Sequence, residues 1–227
     1  MASPDLVNHW TEAPEWDLGT RLWSIYITFD TEQALHDLVV DYQAALADVP
    51  GLDPVSTEWL HATVQGLEFE DKISEPEAAH IYEQIVRSLE APPAEQMFVE
   101  SPVLDVDSVC MRLSGSAAVV GIKDLITAAA GQVLAGRVLY ALPEPADGFN
   151  PHITLAYANR SIPGSEIRDR LATVVHRRIP LIAPRVSLIA LRREDRRWAW
   201  RLHRQHDISG AAFAAGGGAV QEIREPA

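Results

Sequence analysis

Two five-residue stretches, Leu60-His61-Ala62-Thr63-Val64 and Pro151-His152-Ile153-Thr154-Leu155, repeat one pattern in the two halves of the chain: a histidine, any residue, a threonine, an apolar residue. Both sit in apolar, strand-like runs, the second in Gly148-Phe149-Asn150-Pro151-His152-Ile153-Thr154-Leu155-Ala156-Tyr157. Strand side chains alternate faces, so each histidine shares a face with its threonine, while Ala62 and Val64, or Ile153 and Leu155, share the other. If the two strands meet across a cleft, two imidazoles face each other with two hydroxyls beside them, a set suited to acid–base displacement at a phosphate. Eight His and nine Thr in 227 residues would give only about 0.3 such triplets by chance. The competing reading is a pair of half-buried strand histidines satisfied by local hydrogen bonds.

The flanks predict an order of elements. A strand over Leu22–Phe29 puts Trp23, Ile25, Ile27 and Phe29 on one face and Ser24, Tyr26 and Thr28 on the other, the polar face toward a cleft. A helix capped by Asp30/Thr31 runs to about Ala47, and the first motif strand follows at about 57–67. Next come a helix over Glu75–Leu89, strands near Met97–Val106 and Ser108–Ser114, and a helix at about 117–135. After the second motif strand, Pro163 opens a helix to His176, and Val186–Arg192 with Trp198–His203 form a hairpin about Glu194-Asp195. Strands and helices interleaved in two similar halves predict an α+β fold with pseudo-two-fold symmetry. Residues 1–19 read as an N-terminal arm, 20–208 as a single bilobal domain, and the Gly/Ala-rich 209–227 as a flexible tail.

Charge narrows the partners. With 19 basic against 32 acidic residues and a formal charge of −13, a broad surface for nucleic acid is not expected, because such binding rests on neutralising phosphates with Lys and Arg. The basic residues cluster in Arg192-Arg193-Glu194-Asp195-Arg196-Arg197 and at Arg201 and Arg204. That cluster reads either as a local positive cleft or as a solvated hairpin turn. No run approaches the roughly 18 apolar residues that span a bilayer, and the first ten residues lack a signal-peptide pattern, so a cytoplasmic monomer with no membrane partner is expected. The single cysteine, Cys110, reads as a small buried hydrophobe.

The two motifs, and the Phe-x-Pro-His-Ile-Thr-Leu-Ala form of the second, resemble the two-histidine (2H) phosphoesterase superfamily, in particular its 2'-5' RNA ligase-like and cyclic phosphodiesterase branch. The resemblance spans roughly residues 20–205; the first motif departs in having Trp59-Leu60 where the second has Asn150-Pro151. It implies two lobes of antiparallel sheet, helices outside, a central cleft, and no metal or other cofactor. It implies hydrolysis of a 2',3'-cyclic phosphate on a small nucleotide or RNA end, leaving a 2'-phosphate, or alternatively 2'-5' RNA ligation or non-catalytic binding of nucleotides or RNA ends.

In that reading His61 and His152 serve as acid and base, in an order the sequence leaves open, and Thr63 and Thr154 donate to the non-bridging oxygens. Two imidazoles near pKa 6.5 would give a bell-shaped pH dependence with its maximum between about pH 6 and 8. Tyr26, Phe149 and Tyr157, with Trp59 a further aromatic, are candidates to stack on a base, and Arg112 and Arg201 to clamp phosphate. Of the other histidines, His36, His80, His176, His203 and His206 have no threonine two residues on, and His9 has Thr11 but the charged Glu12 where the motif has an apolar residue; all read as surface residues, His203 alone being a possible cleft member. A metal hydrolase built on His61 and His152 is the rival, but no third ligand stands at a recognisable spacing.

Overall fold

The computed structural model describes residues 5–11, 19–89, 96–115, 117–135, 137–140, 148–208 and 221–222. Its strands are β1 (Arg21–Thr28), β2 (Leu52–Pro54), β3 (His61–Phe69), β4 (Phe98–Leu104), β5 (Ser108–Ser114), β6 (His152–Ala158), β7 (Ile179–Pro180), β8 (Arg185–Glu194), β9 (Arg197–Asp207) and β10 (Gln221–Glu222). Its α-helices are α1 (Gln33–Leu46), α2 (Glu75–Ser88), α3 (Ala117–Val133) and α4 (Gly164–Leu171). Two antiparallel sheets result, ordered β10-β9-β8-β1-β3 and β2-β6-β5-β4-β7. Read from the motif strands outward, β3-β1-β8-β9 matches β6-β5-β4-β7, which is the expected pseudo-symmetric bilobal α+β plan.

The lobes interlock. The helix that follows β1 packs behind β6 and beside α4, while the helix that follows β5 packs behind β3 and beside α2. Each sheet is therefore backed by a helix from the other half of the chain. Trp23, Ile25, Ile27 and Phe29 on the side of the first sheet share one continuous apolar core with Val109, Met111, Ile153 and Leu155 of the second. Burial of this order, at about 25 cal/mol per Å² of apolar surface, holds both sheets against their helices.

Several local expectations are corrected. Residues Thr57–Trp59 form a 3-10 turn and the strand begins only at His61. Helix α1 is flanked by Glu32, not Asp30 or Thr31; that carboxylate accepts the Ala183 N–H instead of capping its own helix. Helix α4 ends at Leu171, five residues short of His176. Short strands β2 and β7 were not anticipated, since two or three residues carry no periodicity. Of the arm, residues 5–11 are described and Leu6 is buried in a bridge to Ile162; residues 1–4 and 12–18 lie outside the described residues, as does most of the 209–227 tail. Among the described residues no helix is long and apolar enough to cross a membrane.

Candidate active site

Each motif opens a strand, and each imidazole is held the same way. His61 Nδ1 lies 2.8 Å from the Trp59 carbonyl oxygen and His152 Nδ1 lies 3.0 Å from that of Asn150. A carbonyl only accepts, so Nδ1 carries the hydrogen in both rings and Nε2 is the nitrogen that can take or give a proton. The sequence difference between Trp59-Leu60 and Asn150-Pro151 thus leaves the anchoring bond unchanged, because it uses backbone atoms.

The threonines are partnered alike as well. Thr63 pairs with Tyr26 across β1 and β3, and the Tyr26 hydroxyl hydrogen-bonds to Thr63 as that of Tyr157 does to Thr154. Strict alternation would send Tyr157 to the core face with Ile153 and Leu155. A β-bulge prevents it. Strand β6 carries one extra residue, Leu155, between the partners of Val109 and Cys110, and β3 carries one, Val64, between those of Ile25 and Tyr26. The apolar fourth residue of each motif is thus the bulged one, buried in the core, and the chain beyond it is turned over. Burial raises the Tyr157 phenol to about 12 and that of Tyr26 further, so both keep their protons.

The two imidazoles differ in surroundings. The His61 ring lies against Tyr26 at 4.2 Å between centroids and 4° between planes, with Trp200 edge-on at 4.8 Å and Trp59 edge-on to Trp200 at 4.6 Å. Burial, opposed by the bond to the Trp59 carbonyl and assisted by the nearby His152, lowers the His61 pKa to about 4. His152 has Arg112 as its cross-strand partner, and Arg112 is exposed. Cys110, paired with Thr154, shares this face, and burial pushes its thiol up to about 12.

The structure does not bring every candidate to this place. Tyr26 is 3% exposed, its ring face taken by His61, and it has no surface left on which a base could stack. Arg201 follows Trp200 in an unbroken stretch of the β8–β9 ladder, so alternation puts it on the opposite face of the sheet from Trp200 and the histidines. Phe149 is half-buried, packs against the core, and carries the Lys123 ammonium 4.5 Å above its ring. The arginine-rich hairpin is a turn with compensated charge: Arg192 and Arg197 pair with Glu194, and Arg196 lies 3.7 Å from Asp53. Trp200, a neighbour of His61 that no local sequence pattern marks, shares a face of β9 with Trp198. His9, expected at the surface, is half-buried and stacks on Tyr157 at 4.1 Å. Among the described residues no three His, Cys, Asp or Glu side chains gather as metal ligands.

Two interlocked lobes with the two motif strands adjacent where the sheets meet make up a fold that several solved structures share. TT0787 of Thermus thermophilus shares it at a TM-score of 0.59 and 18% identity, over 84% of this chain and 98% of that one. E. coli LigT complexed with 3'-AMP shares it at 0.58 and 13%, over 83% and 98%. A third structure, described as a phosphoesterase, does so at 0.57 and 13%, over 83% and 99%. No family model and no curated protein matches the sequence; at these identities the likeness is one of fold.

Proposed function

We propose that this protein is a metal-independent phosphoesterase that opens a 2',3'-cyclic phosphate with water. The observation that carries the reading is the doubled arrangement itself: two imidazoles, each fixed through Nδ1 to a backbone carbonyl, beside two threonines each bonded to a tyrosine. E. coli LigT complexed with 3'-AMP, with NADP+ and with ATP supports a nucleotide as the ligand class.

The asymmetry supports one assignment of the roles that the sequence left open. His61, held neutral, takes a proton from water at Nε2 as the new O–P bond forms. His152 gives its Nε2 proton to the departing ribose 3'-oxygen as that P–O bond breaks, leaving a 2'-phosphate. Thr63 and Thr154, each beside a tyrosine that keeps its proton, donate to the non-bridging oxygens as charge builds there. Arg112, exposed beside His152, binds the phosphate through its guanidinium. The test is turnover of 2',3'-cyclic nucleotides after dialysis against chelator, with the product read by phosphorus NMR. A single 2'-phosphate is expected; a mixture of isomers, or turnover restored only by added Zn²⁺ or Mn²⁺, would contradict the reading.

A further inference from the structure

The segment Leu6–Thr11 crosses from one lobe to the other beside the candidate site. On the second lobe, Leu6 exchanges backbone hydrogen bonds with Ile162 at 2.9 and 3.1 Å, Val7 N–H donates to the Val106 carbonyl, and the Trp10 indole N–H donates to Asp53 Oδ2 at 2.9 Å. On the first lobe, Arg193 donates to the Trp10 carbonyl at 2.6 Å and the Trp198 indole N–H donates to His9 Nε2 at 2.8 Å. His9 Nδ1 completes the tie at 2.8 Å from Asp107 Oδ2, so both ring nitrogens are used.

The rings fill the gap between the sheets at this place. His9 stacks on Tyr157, Trp10 meets Tyr157 edge-on at 5.5 Å, and Trp198 lies 5.9 Å from His9 and 6.0 Å from Trp10. Tyr157 in turn holds Thr154. This bridge packs over Tyr157, which lies near Tyr26 and so toward the His61 side of the site, whereas His152 has the exposed Arg112 beside it.

In-line displacement at phosphorus puts the attacking and departing oxygens on opposite sides. Opening a cyclic phosphate with water needs one nucleoside on the phosphorus. Joining it to a 5'-hydroxyl, or cleaving a 2'-5' linkage, needs a nucleoside on each side. We propose that the His9–Trp10 bridge makes this a one-strand site: it admits a terminal, phosphate-bearing nucleotide and bars a second nucleoside across the phosphorus. The cyclic phosphate is then opened by water and is not joined to another chain. This inference rests on the phosphoesterase reading above and narrows it to one substrate class.

The test compares a ligand with one nucleoside on its phosphorus, adenosine 3'-monophosphate, with one that has two, 2'-5'-linked diadenosine monophosphate. Dissociation constants are measured by calorimetry in the His61→Ala background, which blocks turnover. The unaltered bridge is expected to favour the one-sided ligand by at least about 10-fold, and His9→Ala with Trp10→Ala to narrow that ratio to within about 3-fold by tightening the two-sided ligand. Trp198→Phe, which removes only the indole tie, should narrow it part of the way and serves if the double variant does not fold. Equal binding of both ligands before any change, an unmoved ratio in both variants, or no binding of either ligand overturns the bridge. If the ratio behaves as expected but the wild-type protein opens no cyclic phosphate, the phosphoesterase reading fails and the bridge stands. If cyclic phosphates are opened while the ratio is near one, the reverse holds.

Discussion

The His61 imidazole lies flat on Tyr26 with Trp200 at its edge, whereas His152, anchored by the same backbone bond, has the exposed Arg112 as its strand neighbour. The two motifs are alike in pattern and in hydrogen bonding, and unlike in what surrounds the ring. An aromatic enclosure disfavours the imidazolium, so the enclosed ring is the one suited to receive a proton. Symmetry supplies two groups of the same kind; the departure from symmetry around them is what separates the proposed base from the proposed acid.

Removing either ring should have the largest effect. His61→Ala and His152→Ala are each expected to lower turnover of a 2',3'-cyclic nucleotide by at least ~10²-fold while circular dichroism is unchanged. Near-normal turnover in either variant would dissolve the comparison. Thr63→Val and Thr154→Val remove one phosphate donor each and should lower kcat by about 10²-fold, with little change in KM. Unequal losses would show that the two halves differ in phosphate contact as well as in enclosure.

The pH profile probes the enclosure itself. A base must be neutral to work, and His61, with its pKa lowered to about 4, is neutral above that value. The acid limb of kcat/KM should therefore fall near pH 4, below the range near 6.5 expected from an unperturbed ring. Trp200→Ala lets water in and should move that limb upward. Stability follows the same sign: between about 4 and 6.5 the unfolded chain binds a proton that the folded chain does not, so the contribution of His61 is present above about pH 6.5 and lost as pH falls toward 4. The smallest effect concerns Cys110: with its thiol pushed up to about 12, it should resist alkylation at pH 8 in the native state, and Cys110→Ala should change kcat little.

What the sequence could reveal followed from period and motif. The paired His-x-Thr strands, the helix over Glu75–Ser88 and the β8–β9 hairpin were readable because alternation and helical spacing persist over many residues. The bulges at Val64 and Leu155 were not, since one extra residue in a ladder depends on the partner strand, and with them the placement of Tyr157 was lost. Arg201 misled for a related reason: a charge beside an aromatic in a strand faces the other way, and only knowing that Trp200 faces His61 decides which way that is. The enclosure of His61 by Tyr26 and Trp200 joins residues 26, 61 and 200 of three strands, and no local pattern announces such a contact.

The central claim is that His61 is a neutral base with its hydrogen on Nδ1. Nitrogen-15 NMR of histidine-labelled protein, with the His61 resonances assigned by their loss in His61→Ala, tests it directly across pH 3.5 to 8. The expected result is a ring that stays in the Nδ1–H tautomer and titrates only near pH 4. A His61 ring that protonates near pH 6.5, or that carries its hydrogen on Nε2 when neutral, would contradict the assignment of the base and the asymmetry on which it rests.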